Sequence, residues 1–485
     1  MVRCLALDFG ASSIRLVDVA LTDGRISLHE LARLNNGAQT VDARKIWDYK
    51  GIFAQLKAAL ADAGASGVPY ASIGADSWGV DFAVIDKTGE LMCPPAAYRD
   101  ARTEGQVERY TDRHLSAHEL FEATGLQCLP FNTLFQLFAQ SQSEPHVLKH
   151  AHRLLLTADY VHFWLSGVAA NERTLASTSQ MLTLDGRWWP QTLQTLALDP
   201  GALSDPVAPG TLLGPLRAEL ASDTGLGGLK VIAPAAHDTQ SAIAAIPATG
   251  DGDWAYLSSG TWSIIGVESE IPFNDAAAEA AGLCNETGYG GTYCVQSTVT
   301  GLWLVQEIQR LLNDTSDGSV LAAQAAQSPA FRSVINPADS RFFNPPDMIE
   351  EIRAACRAAG EPEPRTPAEL VRCAYDSLAL LYRAVLLKLA AVTERHFTRL
   401  HVVGGGSKAA LLNQLCANVT GLPVVAGPGE ATALGNAMVQ FIALGQLSSI
   451  AEGRRSIRES FPPTLFQPTK LIGLQEAISR FDILI

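Results

Sequence analysis

The chain has 485 residues, 47% of them hydrophobic and 18% charged, with a formal net charge of −14. At roughly 150 residues per domain the length predicts two or three domains, and a charged fraction below the ~25% of an average domain predicts much interior. This composition excludes a disordered tail protein, a collagen-like fibre and a coiled coil, and the acidic balance disfavours non-specific binding to nucleic acid or an anionic membrane.

The N-terminal MVRCLALDFG reaches Asp8 too soon for a signal peptide. The best candidate for a membrane span, 378–392, is interrupted by Arg383 and Lys388. A soluble, cytoplasmic protein is expected. The eight cysteines are scattered without a CxxC pair, so zinc is not expected. Cys356 and Cys373 flank a Gly/Pro-rich turn that lets them approach, and reduced buried thiols are the reading for a cytosolic chain.

In chain order, residues 2–9 form an apolar strand ending at Gly10, followed by strands at 14–21 and 26–34 around an Asp23-Gly24 turn. This predicts a meander, not a βαβ unit. Apolar residues at helical spacing (Ile52, Phe53, Leu56, Leu60) predict a helix over 47–63. Strands follow at 71–75 and 82–85, and 106–180 reads mainly as helices. A buried strand at 231–233 runs into His237-Asp238-Thr239 and an Ala-rich helix. Residues 247–252 form a breaker-rich hinge. The N-terminal pattern then returns: strands at 254–258 and 262–268 around Gly260. Aligning Gly10 with Gly260 places Ser13-Ile14 opposite Ser263-Ile264, Val17 opposite Val267 and Asp18 opposite Glu268. An offset of 250 residues, about half the chain, predicts a duplicated lobe. The second half ends with a strand at 400–403, a triple glycine, and two helices separated by a strand at 422–425.

No Gly-Lys dipeptide occurs, which excludes a Walker A loop. The first turn lacks the dinucleotide fingerprint G-x-G-x-x-G. Asp8-Phe9-Gly10 spells the protein-kinase DFG, but nothing before it forms a small lobe, so the match is accidental. Two hairpin turns remain, Gly10-Ala11-Ser12-Ser13 and Ser258-Ser259-Gly260-Thr261, whose small residues and hydroxyls suit a polyphosphate. Their recurrence at half-length favours the phosphate reading over two ordinary hairpins. Asp8, beside the first turn, suits Mg²⁺ held directly or through water; alone, it reads better as a turn cap. Asp238 or Thr239 reads as a helix N-cap, or Asp238 as a general base kept ionised by helix N–H groups. Gly404-Gly405-Gly406-Ser407 permits close approach of a ligand, or is a tight strand–helix turn. Trp78-Gly79-Val80-Asp81 reads equally as a sugar platform with a carboxylate or as a β-bulge with a core tryptophan.

These residues resemble the FGGY carbohydrate kinases of the actin-like ATPase superfamily. DFGASS is similar to the first phosphate loop, LSSGTWS to the second and HDT to the catalytic turn, and VVGGGSKAALLNQLCAN with AGPGEATALGNA resembles the adenosine segment. The resemblance spans about residues 3–460. Within the family, ADSWGVDF, AYRDARTEG, LPFNTLFQL and INPADSRFFNP are most similar to the rhamnulokinase branch, with the fuculokinase branch close through Gly79-Val80-Asp81 and TSQML.

The resemblance implies an α/β protein of two actin-like (ribonuclease H-like) lobes, 1–246 and 247–485, with an ATP cleft between them. It implies ATP contacts at Ala11, Ser12, Ser13, Ile14, Arg15, Thr261, Gln306 and Gly405. It implies a sugar site at Gly79, His237, Asp238, Thr239 and Thr298, with Asp238 as proton acceptor; Trp78 and Asp81 are expected sugar-binding residues from the aromatic-and-acid reading, and Mg²⁺ is expected near Asp8. The expected reaction is phosphorylation of a ketose at O1, L-rhamnulose first and L-fuculose second. The expected partners are ATP and a small sugar, with no nucleic acid and no membrane. The competing class is an actin-like ATPase module acting on a protein partner. Three positions depart from the branch: Thr298 stands where a sugar-contacting Asn is usual, Ile14 where Gly is usual, and Ser407 where Cys is frequent.

Overall fold

The structure, a computed structural model, describes residues 1–249, 253–313 and 319–485. Of the hinge expected at 247–252, residues 250–252 lie outside the described residues. The elements that shape the fold are, in chain order, β1 (Val2–Phe9), β2 (Ser13–Thr22), β3 (Arg25–Asn35), α1 (Tyr49–Ala65), β4 (Ser72–Ser77), β5 (Phe82–Ile85), β6 (Arg153–Leu156), α2 (Thr157–Ser166), β7 (Asn171–Glu172), β8 (Thr211–Pro215), β9 (Lys230–Ala233) and α3 (Asp238–Ala244). They continue with β10 (Trp254–Ser259), β11 (Trp262–Ser269), β12 (Cys284–Thr287), β13 (Tyr293–Thr300), α4 (Trp303–Leu311), β14 (Arg399–Val403), α5 (Ala410–Thr420), β15 (Val424–Ala426), α6 (Ala431–Ala443) and β16 (Thr464–Phe466).

The chain divides into two compact units. The first comprises 1–245, 268–295 and 431–460, and the second 246–267, 296–430 and 461–485. The first break falls beside the expected 246/247, but the later segments return to the first unit. α6 explains why 431–460 does so. Its Gln440 Nε2 donates to the Leu5 carbonyl at 3.1 Å, Ser72 donates to Gln440 Oε1 at 2.7 Å, and Asn436 Nδ2 donates to the Gly74 carbonyl at 3.2 Å. Buried amides on one helix face thus take up polar groups of β1 and β4, which would otherwise be costly in the interior.

The first unit holds a six-stranded sheet ordered β8-β9-β4-β1-β2-β3. β1, β2 and β3 form the expected antiparallel meander, β4 is parallel to β1 and to β9, and β8 returns antiparallel. α1 lays Ile52, Leu56 and Leu60 against this sheet beside Leu5, Leu7, Leu16 and Ile73. Its start is fixed by Asp48, whose carboxylate accepts the Gly51 N–H at 3.0 Å. The stretch read as mainly helical also contains β6, which pairs antiparallel with β5. Its four residues are too short for periodicity to separate from a buried helix turn.

The second unit repeats the pattern. β11 is antiparallel to β10, β14 is parallel to β10 and to β15, and β16 is antiparallel to β15. The series of pairings β2-β1-β4-β9-β8 therefore recurs as β11-β10-β14-β15-β16. The registers correct the expected alignment by one residue. Phe9 pairs with Ile14 across the first turn, but Ser259 pairs with Ser263 across the second, so the second turn is one residue shorter. Ile14 corresponds to Ser263 and Arg15 to Ile264. A one-residue slip moves side chains to the opposite face, and burial agrees: Ile14, Leu16, Ser263 and Ile265 are buried.

All eight cysteines are free thiols. Cys356 and Cys373 do approach, and their contact, with burial, pushes the Cys373 thiol well up. Among the described residues no helix is long and apolar enough to cross a membrane.

Candidate active site

Three charged residues form a row across adjacent strands of the first sheet. Asp8 on β1 is paired in register with Arg15 on β2 and with Asp76 on β4. Residues opposite one another on neighbouring strands share a face. Arg15 Nε donates to Asp8 Oδ2 at 3.1 Å and Nη2 to the same oxygen. Asp76 is fully buried. Asn436 Nδ2 donates to its Oδ2 at 2.6 Å, while Oδ1 has no hydrogen-bond partner. Burial first and Asp8 second push Asp76 well above the usual carboxylate range, against the lowering effect of Asn436. Asp76 and Asn436 were not singled out from sequence. The available signal was an acid closing a second buried strand, as Asp8 closes the first.

The His237-Asp238-Thr239 turn follows β9. Ser77 N–H donates to the Ala236 carbonyl at 2.8 Å, Glu172 Oε2 accepts the Ala236 N–H at 3.1 Å, and Thr174 Oγ1 accepts the His237 N–H at 3.2 Å. Asp238 then opens α3, and its Oδ1 accepts the Thr239 N–H at 2.6 Å. The N-cap falls on His237, with no side-chain cap bond, so the cap expected at Asp238 or Thr239 is not found; Asp238 is the first helical residue, and 30% of its side chain is exposed. Burial and Asp8 raise its pKa and His237 lowers it, leaving it pushed up to about 6.

His237 lies between two carboxylates. Its Nε2 is 3.5 Å from Asp238 Oδ1, and its Nδ1 is 2.9 Å from Glu286 Oε2 on β12. Burial disfavours the imidazolium, but Glu286, then Asp238 and Glu172, raise its pKa to about 9. At neutral pH the ring is charged. Glu286 and Glu172 were also missed from sequence. They sit on short strands far along the chain, and nothing in their spacing marks them.

Trp78 and Asp81 are corrected by their surroundings. Asp81 is 1% exposed, and its Oδ2 accepts Trp47 Nε1 at 2.7 Å, Trp78 Nε1 at 3.0 Å and the Tyr98 N–H at 3.2 Å. Its Oδ1 accepts Gln136 Nε2 at 3.1 Å. Both oxygens accept from protein donors, so Asp81 is a buried hub, which is the structural reading of this acid. Trp78 is buried against Trp47, ring centroids 4.5 Å apart, which is the core reading. Gly79 has a steric reason: an added Cβ would come within 2.8 Å of Thr178 Oγ1. Val80, next in the turn, has φ 70° and donates its N–H to that hydroxyl at 3.1 Å.

Of the first turn, Ser12 is exposed and Ile14 fully buried, so Ile14 offers a nucleotide only its backbone. Asn36 ties the loop: its Nδ2 donates to the Gly10 carbonyl at 2.8 Å and its N–H to the Ser12 carbonyl at 3.2 Å. In the second unit Gly260 N–H donates to the Trp262 carbonyl at 2.9 Å, as Gly10 N–H does to Ser13 at 3.0 Å. Thr261 donates to Gln306 Oε1 at 3.1 Å. Gly406 packs so closely on Ser259 that any Cβ would overlap its side chain, while a Cβ on Gly405 would meet open space. Thr261, Gln306 and the triple glycine therefore gather around one turn. Thr298 is exposed on β13.

Among the described residues no three His, Cys, Asp or Glu side chains are grouped to hold a metal. Asp8 and Asp76, adjacent in register with Asp76 Oδ1 unsatisfied, nevertheless fit a hydrated Mg²⁺, which takes one or two carboxylates and draws its other ligands from water and phosphate.

Two family models match the chain: the N-terminal domain of the FGGY family of carbohydrate kinases over residues 3–245, and the C-terminal domain over 255–444. A rhamnulokinase of Enterococcus faecalis is 42% identical over 467 residues, covering 96% of this chain and 94% of that protein. A rhamnulokinase of Yersinia pestis is 41% identical, covering 94% and 93%. Among solved structures, a ligand-bound xylulose kinase of Lactobacillus acidophilus superimposes with a TM-score of 0.81 at 18% identity, covering 100% of this chain and 96% of that one. A Plasmodium falciparum glycerol kinase with ADP gives 0.81 at 15% identity, covering 100% and 97%. At such identities these two speak for the fold alone.

Proposed function

The chain belongs to the FGGY family of carbohydrate kinases, and we propose that its reaction is transfer of the γ-phosphoryl group of ATP to O1 of a ketose, with L-rhamnulose as the acceptor. The acceptor rests on relatives named for rhamnulose that match over nearly the whole chain. The chemistry rests on one observation: a partly exposed carboxylate, Asp238, stands at a helix start between an imidazolium and a row of acids, with a pKa pushed up to about 6.

A base poised near the working pH takes a hydroxyl proton without being permanently protonated. In the proposed step the ketose O1 bonds to the γ-phosphorus as its bond to the bridging β–γ oxygen breaks. The O1 proton passes to Asp238, and ADP leaves with the bridging oxygen. The backbone of residues 11–15 is the proposed phosphate contact in the first unit, and Thr261, Gln306 and Gly405 are the proposed nucleotide contacts in the second. Gly79, His237, Thr239 and Thr298 are the proposed sugar contacts. Asp8 and Asp76 would hold Mg²⁺, directly or through water. Mg²⁺ bound to the phosphates supplies neutralisation of charge as the group transfers.

Asp238→Asn tests the assignment. It keeps size and burial but cannot take a proton, so kcat is expected to fall at least about 10³-fold with thermal unfolding unchanged. An active, folded variant would sink it. A coupled assay over L- and D-ketoses, run with and without sugar, tests the acceptor: ATP turnover is expected to need the ketose and to be fastest with L-rhamnulose. Faster turnover with L-fuculose would move the acceptor, and sugar-independent turnover would favour an ATPase module.

A further inference from the structure

We propose that Glu286 is a positioning residue for Asp238: it forms an ion pair with the His237 ring on its Nδ1 side and so keeps the other ring nitrogen beside the base. The inference rests on the reading of Asp238 as proton acceptor and extends it to a residue outside the catalytic turn.

The geometry converges from three segments. Glu286 Oε2 is 2.9 Å from His237 Nδ1, and His237 Nε2 is 3.5 Å from Asp238 Oδ1, giving carboxylate, imidazole and carboxylate in series. Gln240, in the first turn of α3, donates from Nε2 to Glu286 Oε2 at 2.9 Å, so the carboxylate is aimed by the same helix that carries the base. The residues on either side of Glu286 are pinned. Asn285 N–H donates to the Gly125 carbonyl at 2.8 Å, its side chain bridges both polar groups of the Phe273 backbone at 2.7 Å, and Thr287 N–H donates to Ser177 Oγ at 3.0 Å. A strand held at both neighbours leaves Glu286 little freedom to move away.

The contact is not needed to hold the turn. Glu172, Thr174 and Ser77 already fix the backbone at Ala236 and His237. Toward this turn Glu286 meets the ring and Gln240 rather than the backbone, so its effect on the turn is on the ring's orientation and charge. The groups facing His237 are Glu286 from β12, Asp238 from α3 and Glu172 from β7. The groups facing Asp238 are His237 on its own turn, Asp8 from β1 and Asp76 from β4, with Arg15 paired to Asp8. Asp8 and Asp76 act on Asp238 as like charges, and the imidazolium is the cation that offsets them. Weakening it makes Asp238 hold its proton to higher pH.

The test is Glu286→Gln in the full chain, read as pH profiles of kcat and kcat/KM for the ketose. The acidic limb is expected to move to higher pH by about one unit, with kcat at pH 7 reduced roughly twofold, at pH 5 roughly tenfold, and thermal unfolding little changed. Glu286→Asp keeps the charge and is expected to return the limb most of the way. On a His237→Gln background, Glu286→Gln should add nothing, because the route through the ring is already gone. An acidic limb that stays put in a folded Glu286→Gln protein overturns the proposal, as does a rise in KM alone, which would make Glu286 a direct sugar contact. If Glu286→Gln fails to fold, Gln240→Leu decides, because it removes the amide that aims the carboxylate: a displaced limb supports the proposal, and an unmoved limb overturns it. Failure of the base assignment shows separately, as turnover by Asp238→Asn.

Discussion

Asp81 and Asp238 are two acids with opposite fates, and the difference is where their oxygens point. Asp81 accepts from two indoles, an amide side chain and a backbone N–H, all in the interior. Asp81→Ala is expected to destabilise by about 3 kcal/mol or more, since four buried donors lose their acceptor. Urea unfolding checks this; a folded variant with normal stability and only a raised KM would return Asp81 to the sugar site. Gly79 makes a sharper case. Gly79→Ala presses a methyl on Thr178 and is expected to cost about 1–3 kcal/mol and much of the activity. Removing the obstacle with Thr178→Ala should recover part of that loss, measured as a non-additive double-mutant cycle. The sequence offered both readings of this turn equally. Only the neighbours, drawn from residues 47, 98, 136 and 178, decided between them.

At the scale of elements, β4 and α2 are joined by an unusual acceptor. The Ala75 N–H of β4 donates to His162 Nε2 on α2 at 3.0 Å, and burial keeps this histidine neutral, with a pKa of about 3. Unfolded, it titrates near 6.5. Between pH 6.5 and 3 the unfolded chain therefore binds a proton that the folded chain refuses, and this contribution to stability is lost as pH falls below 6.5. His162→Gln removes the titration. Its destabilisation relative to the parent is expected to be largest near pH 8 and to shrink by about 2 kcal/mol at pH 5. A gap independent of pH would show that His162 titrates normally. The strands of the meander and the helix α1 were legible in the sequence because their periodicity and turn residues are local. β6 was not, because a four-residue buried strand has no period to read. The one-residue difference between the two hairpin turns was also hidden, since only the paired register exposes it.

For the whole molecule, one strand-pairing series recurs in both units, in keeping with the half-length repeat of the sequence. Only the first copy carries the Asp8–Arg15 pair; the corresponding positions in the second are Ser258 and Ile264, which are paired in register. The acids are therefore concentrated in one unit, and the second offers hydroxyls and glycines. If ATP and the ketose both bind the native chain, each should raise its stability, by about 2.7 kcal/mol at a hundredfold excess over Kd. Thermal unfolding with ATP, with ketose and with both checks this, and no shift with ATP would remove the nucleotide reading. The amino-acid sequence by itself determined the family, the hairpin turns, the half-length repeat and Asp238 as the candidate base. All of these are written in short contiguous stretches whose chemistry is local. The tertiary structure alone decided the rest: that Asp76 stands beside Asp8, that Glu286 holds His237, that Asp81 is a hub, and that α6 belongs with the first sheet. These depend on burial and on partners many residues apart. A carboxylate's role is set by which donors and charges surround it, and a linear sequence does not order that neighbourhood.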